Sequence, residues 1–315
     1  MVNLVIIIHS CIYLLLQYYL SFLLFKSLEM FFLEHSITEQ KKELNMKKLL
    51  MIFVLFITVL LIQACQNEDD VIKVIATTTP HGEILEYVRP ALKELGYDLE
   101  VILTSDYYLP NPAVAAGDAD ANFFQHIPFL NLYNSENPNA PLYNALGVHI
   151  EPIGLYAGES ITLDSIPQGA TVLISNSTSD HGRALNLLAQ AGLITLAEDF
   201  DILSTDINFN EVIVSNPNGL IIKADVAPDF LIAAYNNNES DLYIINSNYV
   251  LEGGYDPAED AIFIESATDN PYVNILAILE TRLNDPKILA LIEVLSSPEV
   301  KVFINENYEG AVIPA

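Results

Sequence analysis

Only three arginines follow residue 65, at Arg89, Arg183 and Arg282. A guanidinium is the side chain best shaped to hold a carboxylate, because its planar fork can donate two parallel hydrogen bonds. Arg89 falls at the exposed end of an apolar-periodic helix, and Arg282 in the polar stretch before Asn284-Asp285, so both read as solvated surface charges. Arg183 differs, since it lies in the first turns of a helix that follows Asn176 to Asp180, where backbone N–H groups also favour an anion. It is expected to clamp a carboxylate, and the competing reading is a structural ion pair. Other chemistry is sparse. The cysteines are Cys11 and Cys65, no Gly-rich phosphate loop occurs, and the histidines and carboxylates form no nucleophile or metal-ligand motif, so an enzyme is disfavoured.

The elements that must carry these residues follow a chain of two unlike parts. The 315 residues hold 13 basic and 41 acidic side chains, a net charge of -28 that makes a nucleic-acid partner unfavourable. Residues 1–64 contribute five basic and four acidic side chains within a mostly apolar leader, so the charge belongs to the body. Met46-Lys47-Lys48, the apolar run Leu49 to Ile62 and Gln63-Ala64-Cys65 have the layout of a secretory signal. That run extends roughly 21 Å as a helix, short of a bilayer core of about 30 Å. A second apolar stretch, Leu4 to Phe25, precedes it, and residues 1–45 are expected to be an extension ahead of the true start at Met46.

In the body, Val71 to Ala76 reads as a buried strand. Ile84, Leu85, Val88, Leu92 and Leu95 form a helix stopping at Gly96, and Leu99, Val101 and Leu103 alternate as a second strand. Asn111-Pro112 opens a short helix ending near Gly117, a run through Ala121 to Phe124 follows, and His149 to Ala157 is extended. Thr171 to Ser175 begins a further unit with a helix from about Asp180 to Ala191. Strands follow at Val212 to Val214, Gly219 to Ile222, Leu242 to Ile245, Ala261 to Glu265 and Val273 to Leu279. Two last helices open at Asp285-Pro286 and Ser297-Pro298. Alternating strands and helices in two blocks predict α/β layers, with a cleft between blocks as the place for a small ligand.

Ala121-Asn122-Phe123-Phe124-Gln125-His126 resembles the NLPA lipoprotein family, the methionine-binding receptor subunits of ABC importers. The resemblance runs over essentially all of residues 71–315. It includes Thr79-Pro80-His81-Gly82-Glu83, Asp106-Tyr107, Val148-His149-Ile150-Glu151-Pro152, Arg183-Ala184-Leu185, Ile245-Asn246 and Ser297-Pro298-Glu299. It implies a type II periplasmic-binding-protein fold, with residues 71–155 plus 250–315 as lobe one, 156–249 as lobe two, and two hinge crossovers. Ile62-Gln63-Ala64-Cys65 likewise resembles a lipobox, which makes residues 46–64 the signal peptide, Cys65 the lipidated first residue and 65–70 a tether. The body would then face the extracytoplasmic side of the membrane.

A free amino acid in a closed cleft brings a carboxylate, an ammonium and a side chain, each of which must be matched once water is expelled. The resemblance gives the carboxylate to Arg183. Tyr107, Phe123, Phe124 and His126 are candidates for a polarizable pocket around a thioether, with one of the adjacent phenylalanines expected to face the core instead. Asn246 matches the asparagine the family uses for the amino-acid moiety, with Asn248 and Tyr249 as second choices, and Asn176 matches the start of its Asn-rich loop. The chain departs from the family at Asp180, which stands where a neutral amide is usual and either takes the ligand ammonium or competes for Arg183. His126 could instead be structural, or bind a metal with His81 and His149, but the family uses neither metal nor cofactor. The expected partners are methionine, or else another amino acid or a methionine-containing dipeptide, and an ABC permease with its ATPase. A surface lipoprotein that binds a protein partner is the alternative of another class.

Overall fold

A computed structural model of the chain describes residues 21–23, 51, 70–158 and 160–315. The expectations for Cys65, for the signal peptide apart from Met51, and for the extension apart from residues 21–23 lie outside the described residues. Among the described residues no helix is long and apolar enough to cross a membrane.

The β-branched run Val71–Ala76 forms β1, with α1 at Glu83–Glu94 and β2 at Asp98–Leu103. Then come α2 (Pro110–Ala116), β3 (Ala121–His126), α3 (Ile127–Glu136), β4 (Leu142–Ile150) and β5 (Gly154–Ala157). The second block holds β6 (Thr171–Ser175), α4 (Thr178–Gln190), β7 (Thr195–Leu196), β8 (Ile213–Ser215), β9 (Ile221–Val226), β10 (Leu242–Ile245), α5 (Ser247–Glu252) and β11 (Phe263–Ile264). The chain closes with β12 (Val273–Leu279), α6 (Pro286–Leu295), α7 (Pro298–Tyr308) and β13 (Ile313–Pro314). Both terminal helices begin at the proline that the sequence predicts, because proline lacks the N–H that an N-terminal turn leaves unused.

Two large sheets organise these elements into two α/β lobes, and β7 and β8 form a separate antiparallel pair. The first has the order β13-β4-β12-β3-β1-β2 and the second β11-β5-β10-β6-β9. In the first, β1 runs parallel to β2 and β3, while β12 runs antiparallel to β3 and β4. In the second, β10, β6 and β9 are parallel and β5 is antiparallel to β10. Each sheet has its own apolar core. Ile72, Val74, Leu85, Leu92, Leu291 and Ile304 pack in the first, and Leu155, Val172, Ile174, Leu185, Leu188 and Ile244 in the second.

The chain leaves the first sheet after Ile150 and enters the second at Gly154. It leaves the second after Ile264 and returns at Val273. The crossings at 151–153 and 265–272 differ from the expected ones near 155 and 250, because Phe263 and Ile264 pair antiparallel with Leu155 and Gly154 as an edge of the second sheet. The two crossings also touch, since the Glu265 N–H donates to the Ile153 carbonyl at 3.0 Å.

Two elements of lobe one were not foreseen. The strand through Ala121–Phe124 continues to His126 and turns directly into α3, and β4 begins at Leu142, seven residues before the expected extended segment. His126 caps α3 by accepting the Phe129 N–H on Nδ1 at 3.1 Å, a cap type outside the usual Ser/Thr/Asp/Asn signal. Helix α4 starts at Thr178, and Gly182 is where it passes the backbone of Ile202 so closely that a Cβ would collide with the Ile202 carbonyl.

Candidate functional site

A third apolar cluster joins the lobes. Tyr107, Phe124 and Phe129 come from lobe one, and Leu173, Tyr243, Ile245 and Tyr249 from elements of the second block. The Tyr107 ring lies 5.7 Å from Phe124, 6.1 Å from Phe129 and 5.0 Å from Tyr249. Beside this aromatic wall lies a narrow cleft, lined on its polar side by His126, Glu151, Arg183, Asn246, Asn248 and Asn274.

Arg183 is fully buried at 2% exposure. Its Nε donates to both Glu265 carboxylate oxygens at 3.1 Å, and one Nη2 proton goes to Glu265 Oε2 at 2.6 Å. The other Nη2 proton goes to the Glu151 carbonyl at 2.6 Å, and the guanidinium lies 4.4 Å from the Tyr272 ring centre. Glu151 and Glu265 sit on the two crossings, so Arg183 staples the hinge. Burial works against its charge, but the Glu265 carboxylate outweighs that and raises its pKa further. The structural ion pair is therefore real and occupies the Nε–Nη2 edge. Nη1 has no hydrogen-bond partner among the described residues, whose bonds to Arg183 all fall on Nε and Nη2.

Asp180 bridges toward the other lobe. Because His126 Nδ1 accepts a backbone N–H, its proton is on Nε2, which donates to Asp180 Oδ1 at 2.8 Å. Asn246 Nδ2 reaches Asp180 Oδ2 at 3.5 Å. Burial would raise the Asp180 carboxyl, yet His126, Arg183 and Asn246 together hold it below the usual carboxylate range. Asp180 lines a smaller neighbouring pocket with Asn246 rather than the cleft itself.

The remaining expectations divide by side-chain direction. Phe124 faces the cleft. Phe123 points the other way, at 0% exposure, into the core of lobe one, where its ring lies 4.6 Å from His81 and 5.4 Å from His149. Neighbouring strand residues must face opposite sides, so one of the pair faces the core, as the alternation predicts, and it is Phe123. Tyr107 and Asn246 line the cleft. Asn176 is exposed and borders an adjoining pocket, open to solvent, that shares Tyr107 and Phe129 with it. Arg282, expected as a solvated charge, is half-buried between Asp120 and Asp285, whereas Arg89 pairs with Glu86 at the surface.

Asn248, a second choice from the sequence, lines the cleft, as do Gln125, Glu151 and Asn274, which the sequence reading did not single out. Tyr107 Oη donates to Asn248 Oδ1 at 2.5 Å, which leaves the buried Asn248 Nδ2 without a partner. Gln125 is held by Asn111 and Asn122 in a buried amide network. Glu151 Oε1 accepts from His149 Nε2 at 2.7 Å and lies 3.3 Å from His81 Nε2, and these three groups form the one set of described side chains that could hold a metal ion. His126 is not among them. A proline following Glu151 and an apolar strand preceding Glu265 were visible, but neither signals a buried acid.

A family model for the NlpA lipoprotein matches residues 72–315. The methionine-binding lipoprotein MetQ of Bacillus subtilis is 42% identical over 275 residues, spanning 85% of this chain and 99% of that one. Among solved structures, a Burkholderia cenocepacia nutrient-binding protein bound to methionine aligns with a TM-score of 0.71 at 32% identity, covering 78% of this chain and 99% of that one. A periplasmic substrate-binding protein of an ABC transporter from Coxiella burnetii aligns with a TM-score of 0.70 at 30% identity, over 78% and 100% of the two chains.

Proposed function

From the premise that the chain belongs to the NlpA lipoprotein family, we propose that it is the substrate-binding lipoprotein of an ABC importer and that methionine is its ligand. It takes the amino acid between its lobes and hands it to a permease driven by a cytoplasmic ATPase. The observation that carries the reading is the composition of the cleft, an aromatic wall of Tyr107, Phe124 and Phe129 facing the donors of Arg183, Asn246 and Asn248. Aromatic rings contact a thioether sulfur favourably, by about 0.3–1.5 kcal/mol each. Arg183 Nη1 and the unpaired Asn248 Nδ2 suit a carboxylate. Asp180 acts through His126 and Asn246, tying the lobes in the closed arrangement. The lipid on Cys65 holds the body at the extracytoplasmic membrane face.

One observation favours the dipeptide alternative, since an adjoining pocket, open to solvent, shares the Tyr107 and Phe129 wall and continues from the cleft toward Asn176. Titration calorimetry separates the readings. The protein is unfolded and refolded to strip carried ligand, then titrated with amino acids and methionine-containing dipeptides. Heat with L-methionine is expected, and folded protein that gives none with any amino acid or short peptide would reject the receptor reading.

A further inference from the structure

We propose that the open pocket beside the cleft takes the far end of an extended ligand side chain. The receptor then accepts α-amino acids with side chains longer than that of methionine, and prefers those that end in a cation over those that end in an anion. The inference rests on the receptor reading above and widens its ligand class.

The pocket joins the cleft at one end only. It shares Tyr107 and Phe129 with the cleft, and none of Arg183, Glu151, Asn246 or Asn248. It therefore opens from the aromatic wall, where the thioether is seated, and away from the polar groups. A second residue joined through the α-amino or α-carboxyl group would start from the polar end, whereas a longer side chain runs straight into the pocket. The outlet lies between the lobes, with Tyr108 and Tyr133 on one side and Asn176 and Thr178 on the other. Across it, Tyr108 Oη reaches Asn176 Oδ1 only at 3.5 Å, so the lobes meet loosely there and a chain can pass.

The lining selects by charge. Four aromatic rings, Tyr107, Tyr108, Phe129 and Tyr133, offer π faces that attract a cation. The Tyr108 phenol is pushed up by burial and then by four carboxylates, those of Asp180, Asp106, Asp229 and Glu136. Among the described residues no lysine or arginine lines the pocket. Lys93, Arg282 and Lys287 pair with acids at the other end of the lobe-one sheet, beside the first residues of β1 and β2, whereas Tyr107 and Tyr108 follow the last residue of β2. The field at the outlet is therefore negative, and a cationic tail gains from both rings and acids.

The test is calorimetry on the refolded full chain with L-methionine and three homocysteine derivatives of similar length. These are S-aminopropyl-L-homocysteine, neutral S-butyl-L-homocysteine and S-carboxyethyl-L-homocysteine. Wild type should bind the butyl compound within about tenfold of methionine, and the aminopropyl compound at least about tenfold more tightly than the carboxyethyl one, a gap that high salt narrows. Leu132 and Thr178 line the pocket and not the cleft. Leu132→Trp, or Thr178→Trp from the other lobe, should weaken the butyl and aminopropyl compounds by at least about tenfold while methionine binding stays unchanged, with far-UV circular dichroism confirming the fold.

Butyl binding more than about a hundredfold weaker than methionine would overturn the proposal. So would equal affinity for the cationic and anionic tails, or equal loss of methionine and long tails in both tryptophan variants. Tight binding of a methionine dipeptide that both variants abolish would assign the pocket to a second residue and overturn it as well. Folded wild type that binds none of these ligands would reject the receptor reading, and the proposal with it.

Discussion

Removing Glu265 should cost the fold far more than its place on a short connecting segment suggests. In Glu265→Leu, the Nε and Nη2 groups of Arg183 lose three contacts of 2.6–3.1 Å while the guanidinium stays 2% exposed, and the Ile153 N–H loses an acceptor. Breaking a buried pair from one side costs about 3–5 kcal/mol, since the remaining charge has neither partner nor water. That is roughly a hundredfold or more in the folded-to-unfolded ratio, from a total stability on the order of 5–15 kcal/mol. Arg183→Met should cost a similar amount. The double variant should cost much less than the sum, because replacing both ions with apolar groups of similar volume is often close to neutral. Urea unfolding followed by far-UV circular dichroism measures all three, and it suits a chain without tryptophan. A single Glu265→Leu effect below about 1 kcal/mol, or strictly additive effects in the double variant, would refute the view of Arg183 as the staple of both crossings.

Acidification should destabilise the protein before its ordinary carboxylates titrate. His81 and His149 have folded pKa values of about 4 and about 3, below the free value near 6.5, so the unfolded chain binds protons first as pH falls. Their contribution is complete above about pH 6.5 and is lost toward pH 4 and then 3. Between pH 7 and 5 that amounts to about 2 kcal/mol for each histidine, offset in part by the raised Glu151 carboxyl. Urea midpoints at the two pH values check it, and His81→Asn should flatten the dependence. The two adjacent phenylalanines should separate cleanly. Phe123→Ala should lose about 3–5 kcal/mol of stability, whereas Phe124→Ala should chiefly lower methionine affinity; equivalent behaviour in paired unfolding and calorimetry would contradict their opposite facings.

Some of this could be read before any coordinates. The β-branched run at Val71–Ala76, the glycine after α1, and the prolines opening α6 and α7 specify local structure through backbone geometry, and all four features form where the residues place them. The scarcity of arginine in an acidic body singled out Arg183, and it is buried at the cleft. Alternation along β3 required Phe123 and Phe124 to face opposite sides, but which side holds the cleft depends on what packs above each face of the sheet. The boundary of lobe two turned on a two-residue edge strand, too short to show a period.

The partner of Arg183 could not be read from the sequence. Glu265 lies 82 residues away, one acid among many, and no local preference distinguishes a carboxylate that will be buried from one that will stay in water. The same holds for Glu151, whose surroundings come from β4, β12, α5 and the turn between β1 and α1 meeting at one point. The sequence by itself determined most of the elements, the family and the one arginine that reaches the cleft. Tertiary structure decided that this arginine pairs with Glu265 between the two crossings, because charge pairing in a buried site depends on distances that only the folded chain sets.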